Sequence, residues 1–380
     1  MADRDYIRSS TSHTIGAPKG FMSSIHLDPV LLVLLLILLG SGLFVLYSGA
    51  DSSVEMVKSQ CARIGVAFVV MMVFAQLDPS VYRRWSPWLY GLGLIGLLAV
   101  LLVGVGAKGA QRWLSLPGLP RFQPSEFMKL AVPFMAAWYL SRHFLPPRLS
   151  RVGGGLFIVL LPMVLIVRQP DLGTALLVGL AGLFVIFFAG LSWKLLGAFF
   201  GMVAVAAPAM WFFVMRDYQK QRVLTLLDPE SDPLGAGWNI IQSKTAIGSG
   251  GLSGKGWLLG TQSHLDFLPE SHTDFIVAVL AEEFGFIGVL ALLTLYFLII
   301  ARCLYIAVNA QDSFGRLVAG ALTMTFFTYV FVNIGMVSGI LPIVGVPLPL
   351  VSYGGTSIVT LMAGFGVMMS IHTHRRMITA

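Results

Sequence analysis

Apolar stretches long enough to span a membrane recur along the chain from Val30 almost to its end, separated by short polar segments. A hydrocarbon core about 30 Å thick takes about 20 residues of helix. Ten runs reach that length, beginning near Val30, Ile64, Leu89, Glu126, Gly155, Leu172, Leu195, Gly285, Leu317 and Thr356. They predict an all-α polytopic membrane protein with ten transmembrane helices. One connection breaks the rhythm. From Arg216 to about Thr273 the chain is polar and rich in glycine, which predicts a large extracytoplasmic loop between helices 7 and 8. Loops beyond about 15 residues are usually functional or disordered. Trp238, Ile240, Ile241 and Trp257 give this one apolar surface to pack on the outer face of the bundle. The expected organisation is a cytoplasmic tail over 1–29, a membrane domain over 30–371 in which 216–284 form the loop and a re-entry helix, and a cytoplasmic tail over 372–380.

Composition narrows the class. Of 380 residues, 56% are hydrophobic and 11% charged, against roughly 25% charged in globular domains, so a soluble protein with a large core is excluded. The net charge of +7 raises the question of nucleic acid. Its distribution answers it: with an even number of spans and cytoplasmic termini, Arg4, Arg8, Lys19, Arg83, Arg84, Arg142, Arg148 and Arg151 all fall on the inner side, as the positive-inside rule requires. No nucleic-acid partner is expected. Val30 to Tyr47 is too long for a signal-peptide core and no small-residue cleavage site follows it. Cys61 and Cys303 fall at opposite membrane faces in this topology, so neither a disulfide nor a thiol nucleophile is expected.

Ionisable groups inside or at the edge of spans are costly and point to function. Glu126 and Lys129 stand at i and i+3 in QPSEFMKL, where they can pair on one helix face. Either they neutralise one another at a helix start, or they face an aqueous cavity. VRQPDLGT sets Arg168 and Asp171 in a tight outer turn, and KGAQRW sets Lys108, Arg112 and Trp113 in the outer loop before the fourth span. Arginine holds phosphate with paired donors and lysine supplies a point charge; interfacial snorkelling is the competing account. PLPLVSYGGTS, with Ser352 at its centre, has prolines that stop a helix and glycines that allow close approach. It reads as a broken or re-entrant segment beside the active face, since irregular backbone at membrane depth must be buried in protein or line a cavity. Two motifs fail on inspection. GSGGLSGKG lacks the spacing of a phosphate loop. DPESDP has Pro233 where a calcium loop needs its glycine.

LPESHTDFIVAVLAEE carries Glu270, Asp274, Glu282 and Glu283 at the point where the long loop re-enters the membrane. Ser271 and Asp274 fit an S-x-x-D helix-capping pattern. Asp274 therefore reads either as a helix-start residue or as a general base at the mouth of a cavity. Glu282 and Glu283 read as cavity or metal partners, or as structural partners for basic residues of the loop.

Several of these motifs, namely GAQRW, RFQPSE, QPDLGT, GSGGLSGKGW, LPESHTDFIVAVLAEE and NIGMVSGILPIVGVPLPLVSYGG, together resemble the SEDS family (shape, elongation, division and sporulation), on its elongation branch and not its division branch. The resemblance covers nearly the whole chain from about Leu27. It implies a ten-helix bacterial inner-membrane glycosyltransferase, with both termini cytoplasmic and its active site outside, that polymerises lipid II into β-1,4 glycan strands. It implies a catalytic aspartate at Asp274, an important tryptophan at Trp113, and the acid and lysine at Glu126 and Lys129. It also implies a class B penicillin-binding protein as the crosslinking partner, among other membrane proteins of the elongation complex. On that reading, one base takes the proton of the attacking hydroxyl, and Arg112, Lys129, Arg168 or Lys244 meets the charge of the departing lipid pyrophosphate. No tightly bound cofactor is expected; a divalent cation (Mg²⁺ or Mn²⁺) stays open, with Glu126, Asp171, Glu282 or Glu283 as its holders. A lipid II flippase and a non-catalytic scaffold are the rival readings.

Overall fold

The computed structural model describes residues 25–107, 110–114, 122–191, 193–213, 215, 217–231, 236–264 and 271–374. Lys108 and Glu270, singled out above, lie outside them. The chain is a helical bundle: α1 Pro29–Gly49, α2 Val54–Gln76, α3 Pro79–Val103, α4 Pro124–Leu140, α5 Leu149–Arg168, α6 Leu172–Phe188 and α7 Trp193–Phe213. A short hairpin, β1 Val105–Ala107 and β2 Ala110–Trp113, stands between α3 and α4. The long loop contains α8 Asp217–Leu227, α9 Ala236–Gly250 and α10 Thr261–His264. Then follow α11 Ile276–Val308, α12 Ser313–Val337 and α13 Thr356–Thr373. Among the described residues seven helices, α1, α2, α3, α5, α11, α12 and α13, are long and apolar enough to cross a membrane, and α6 is a shorter apolar helix. The protein is therefore a multi-pass helical membrane protein.

Helices outrun the apolar runs that predict them. α2 begins at Val54, ten residues before Ile64, and α3 at Pro79, ten before Leu89. Their first turns carry polar residues (Glu55 and Lys58, Arg83 and Arg84), which suit an interface but not the hydrocarbon core. Three acids start helices. Asp28, Asp78 and Asp312 accept from the amides of Leu31 (2.8 Å), Ser80 (2.8 Å) and Gly315 (3.0 Å). Each satisfies an amide that the first turn leaves unbonded. Asp28 also binds Arg302 at the end of α11 through both carboxylate oxygens, at 2.5 and 3.2 Å, and His372 of α13 at 3.2 Å. The His26 and His374 rings stack at 3.9 Å, so the two ends of the bundle's chain meet on one face.

Residues Gly339 to Gly355 form no helix, yet Leu348, Leu350, Val351 and Ser352 are buried. Main-chain groups here need partners from the protein. Tyr296 of α11 donates its phenol to the Pro349 carbonyl at 2.6 Å, and Gln60 of α2 donates to that of Ser352 at 3.2 Å. Gly42 of α1 allows the segment to come in: a Cβ there would stand 2.9 Å from Val351 Cα. Small residues serve membrane helices in this way, by letting backbones approach.

Candidate active site

The stretch from Ser271 to Phe275 is a turn, and the helix starts only at Ile276, with no side-chain cap at Phe275. The capping role expected from Ser271 is therefore not made. Its hydroxyl instead donates to the Gly49 carbonyl at the end of α1, at 2.9 Å. The turn is fixed through its main chain. Ser352 Oγ donates to the Thr273 carbonyl at 2.5 Å, Tyr353 N to that of His272 at 2.9 Å, and Asn333 Nδ2 of α12 to that of Asp274 at 2.9 Å. The same Asn333 amide group donates to the Val346 carbonyl at 2.7 Å. Asp274 itself is half-buried, with Oδ2 beside Gly345 (φ 75°). Two irregular segments, 271–275 and 345–353, are thus knitted together around one carboxylate.

Ser352 changes role as a result. The sequence sets it in a broken segment beside the active face as a candidate substrate contact; it is buried, and its hydroxyl both donates to Thr273 and accepts from Leu348 N at 2.8 Å. Its hydrogen-bonding capacity goes to shaping the turn.

Glu126 and Lys129 pair at 2.5 Å on the first turns of α4, each only 7% exposed. Pro124 at the helix start explains why the chain turns into the bundle at this point. The Lys129 ammonium lies 4.9 Å from the centre of the Tyr329 ring, a cation–π distance. Tyr329 stands one helical turn before Asn333 on α12, about 6 Å along the axis. The ion pair and the Asp274 turn are therefore braced against the same face of one helix.

Glu126 also lines a groove of about 780 Å³. Its walls are mostly apolar residues of α2, α4 and α13, including Val66, Phe74, Phe127 and Val359; Arg63, Trp113, Glu126, Thr356 and Thr360 are its polar and amphipathic members. Arg63 sits 4.3 Å over the Tyr353 ring, and Tyr353 is hydrogen-bonded to the Asp274 turn. Groove and turn thus share a rim at Arg63. Sequence reading missed this residue, which looked like one more interfacial cation; its only signal was its position directly before the apolar run that begins at Ile64. Asn333 and Tyr329 were missed too, although Asn333 opens the NIGMVSG motif.

The remaining candidates sit as follows. Arg112 donates to the Pro170 carbonyl at 2.8 Å and lies 3.6 Å from Asp171. Asp171 caps α6 by accepting from Thr174 N at 3.2 Å, and takes a bond from Gln123 at 3.3 Å. This pair ties the β-hairpin strand that carries Trp113 to the α5–α6 turn. Arg168 is exposed at the end of α5. Lys244 is exposed on α9, its side chain lying over Gly339. Glu282 and Glu283 are 0% and 1% exposed and hold the loop rather than the groove. Glu282 takes the Lys255 ammonium at 2.7 Å together with main-chain donors from the loop. Among the described residues no group of three or more His, Cys, Asp or Glu side chains could hold a metal ion.

The site thus combines a buried acid–base pair, a carboxylate on an anchored turn and an apolar groove with an arginine in its wall. The family model described as "Cell cycle protein" and named for FtsW, RodA and SpoVE matches residues 26–377. The chain belongs to the FtsW/RodA/SpoVE family. It is 57% identical over 361 residues to the peptidoglycan glycosyltransferase MrdB of Escherichia coli K12, covering 95% of this chain and 97% of that one. It is 36% identical over 357 residues to a probable peptidoglycan glycosyltransferase FtsW of Trichlorobacter lovleyi, covering 90% and 92%. Among solved structures it matches a peptidoglycan synthase complex that coordinates polymerization and crosslinking, at TM-score 0.81 and 30% identity over 92% of this chain and 99% of that one. It also matches the rod shape determining protein RodA of Thermus thermophilus, at TM-score 0.69 and 28% identity over 91% and 96%. This SEDS-family member is accordingly a peptidoglycan glycosyltransferase of the RodA type.

Proposed function

We propose that the enzyme polymerises lipid II by a single inverting displacement in which Asp274 is the general base. The 4-hydroxyl of one sugar attacks the anomeric carbon of a second, lipid-linked glycan; the bond to the lipid pyrophosphate breaks as the β-1,4 bond forms. Asp274 takes the hydroxyl proton, a contribution of about 10²- to 10⁴-fold for a positioned base. The pyrophosphate leaves with its own charge, so it needs cations more than an acid. Arg63 at the groove rim, with Arg112, Lys129, Arg168 or Lys244, meets that charge. The apolar groove takes part of a polyprenyl tail. A divalent cation, Mg²⁺ or Mn²⁺, would supply further positive charge beside the pyrophosphate, with the carboxylate of Glu126 or Asp171 to hold it.

The observation that carries this reading is the shared rim: Arg63 of the groove stacks on Tyr353, whose amide binds the turn that presents Asp274. A lipid in the groove brings its head group to that carboxylate. We further infer ten membrane crossings, the seven long helices with α4, α6 and α7. Both termini are then cytoplasmic and Asp274 faces outward, with the loop between α7 and α11 above it. The crosslinking partner is a class B penicillin-binding protein, in keeping with the polymerizing and crosslinking complex that the fold resembles.

The test is polymerisation of lipid II by purified enzyme with that partner. Asp274→Asn is expected to abolish polymer while leaving folding and partner binding intact; polymer from that variant refutes the base assignment. Transport is the second reading. It wins if the same variant moves lipid II across liposomes at the wild-type rate while the wild type makes no polymer.

A further inference from the structure

The glycine-rich stretch GSGGLSGKG and the Glu282–Glu283 pair have no task in the reaction above, yet the structure joins them. α11 is broken at Gly285 (φ 62°, ψ −160°). In an unbroken helix the amides of Phe286 and Ile287 would donate to the carbonyls of Glu282 and Glu283. Instead they donate to Gly251 and Leu252 of the loop, at 2.9 and 3.1 Å. The two abandoned carbonyls accept from Lys255 N and Gly256 N, both at 3.0 Å. The loop is therefore stitched into the break by four main-chain hydrogen bonds, which partner the two carbonyls and two amides that the break releases. The approach is so close that only glycine fits: a Cβ on Gly254 (φ 80°) would collide with the main chain of Glu283.

Side chains lock the stitch. The Glu282 carboxylate collects Lys255 Nζ (2.7 Å), Thr261 N (2.8 Å), Thr261 Oγ1 (3.1 Å) and Gln262 N (3.0 Å). Glu283 accepts from Leu258 N at 3.2 Å and from the Ser48 hydroxyl of α1. What they hold is the arm Ile276–Phe284, buried throughout apart from Phe284. Asp274 stands just before its first residue. The arm's near end is fixed by Asn333, Ser352 and Tyr353, its far end by Lys255 and Glu282. A nine-residue helix is about 13 Å of rigid lever, so a shift at the stitch is felt at the turn.

We propose that Lys255 and Glu282 are positioning residues for glycosyl transfer: their ion pair holds the loop in the break of α11 and thereby sets where Asp274 stands. This rests on the reading of Asp274 as base. A misplacement of about 1 Å in a reacting group costs about 100-fold in rate, whereas a role in stability alone lowers the yield of folded enzyme and leaves its turnover intact.

The experiment measures kcat and KM for lipid II per folded molecule, with the full-length enzyme and its crosslinking partner, for wild type, Lys255→Met, Lys255→Arg, Glu282→Gln and Asp274→Asn in one series. Lys255→Met and Glu282→Gln are expected to lose about 100-fold in kcat with KM unchanged. Lys255→Arg, which keeps the charge, recovers most of it. Lys255→Met combined with Glu282→Gln adds little to either single variant, because both remove the same interaction. Lys255 is partly exposed and carries the test where the buried Glu282→Gln fails to fold. Wild-type kcat in Lys255→Met beside an inactive Asp274→Asn overturns this inference and leaves the base reading standing. An active Asp274→Asn overturns the base reading, and this inference with it. A rise in KM at constant kcat places the pair in substrate binding and overturns positioning.

Discussion

Asn333 offers a place where stability and turnover separate. It is 0% exposed, and its Nδ2 serves two carbonyls, those of Asp274 at 2.9 Å and Val346 at 2.7 Å. Replacing it by leucine keeps the volume and removes both donors. Each buried carbonyl left without a donor costs about 1–3 kcal/mol, so the gross loss is about 2–6 kcal/mol. Against it stands Asn333 Oδ1, buried with no hydrogen-bond partner among the described residues. Removing that orphaned acceptor returns about 1–3 kcal/mol. The net destabilisation of Asn333→Leu is then about 1–3 kcal/mol, which a membrane protein of this size survives. Turnover has no such offset. With the Asp274 carbonyl released, the turn loses its link to α12, and a drift of about 1 Å costs about 100-fold. The assay pairs thermal unfolding in detergent with lipid II polymerisation per folded molecule. A modest fall in Tm with a fall of about 100-fold in kcat is expected. Wild-type kcat, or a loss that only tracks the folded fraction, refutes the idea that Asn333 anchors the catalytic turn.

Other outcomes follow from the same contacts. Arg63→Met keeps the stem over Tyr353 but removes the charge at the groove rim; KM for lipid II is expected to rise about tenfold, the effect of about 1.4 kcal/mol, and an unchanged KM counts against a head-group role. Arg302→Met leaves Asp28 buried with half its partners gone, a loss of about 3–5 kcal/mol, whereas adding Asp28→Asn to it recovers part of the Tm; no recovery means the ion pair is not what holds α1 to α11. Chelation is expected to slow polymerisation, with Mg²⁺ or Mn²⁺ restoring it; a rate indifferent to EDTA removes the cation from the mechanism.

Much of this architecture can be read from the chain because its physics is local. Apolar runs mark spans wherever lipid is the solvent, and the i, i+3 spacing of Glu126 and Lys129 places them on one face whatever surrounds the helix. Ser271 and Asp274 show where local reasoning stops. Their spacing fits a cap, but the Ser271 hydroxyl goes to Gly49, a partner 222 residues away in sequence that no local pattern encodes. Ser352 and Asn333 are the same case: each spends one hydrogen bond on a main-chain carbonyl of a segment remote in sequence, Thr273 and Asp274 in turn. Arg63 was invisible for another reason. A cation at the start of an apolar run is ordinary at an interface, and the stacked Tyr353 ring and the groove wall distinguish it from Lys58 on the same helix.

The acids of this chain divide by what they face. Asp28, Glu126 and Glu282 are each buried against a cation, Arg302, Lys129 and Lys255 in turn, at 2.5 to 2.7 Å. A buried pair of this kind is a poor source of net stability, since desolvation offsets most of the attraction. Its value is geometric, because breaking it is costly and so it admits one arrangement. Asp28 with Arg302 joins the start of α1 to the end of α11. Glu126 with Lys129 sets the groove wall against Tyr329, and Glu282 with Lys255 closes the break in α11. Asp274 is placed by another route, through carbonyls of its own turn held by Asn333, Ser352 and Tyr353. Holding the turn by its main chain fixes where Asp274 stands, which is what the proposed role as base to the attacking hydroxyl requires.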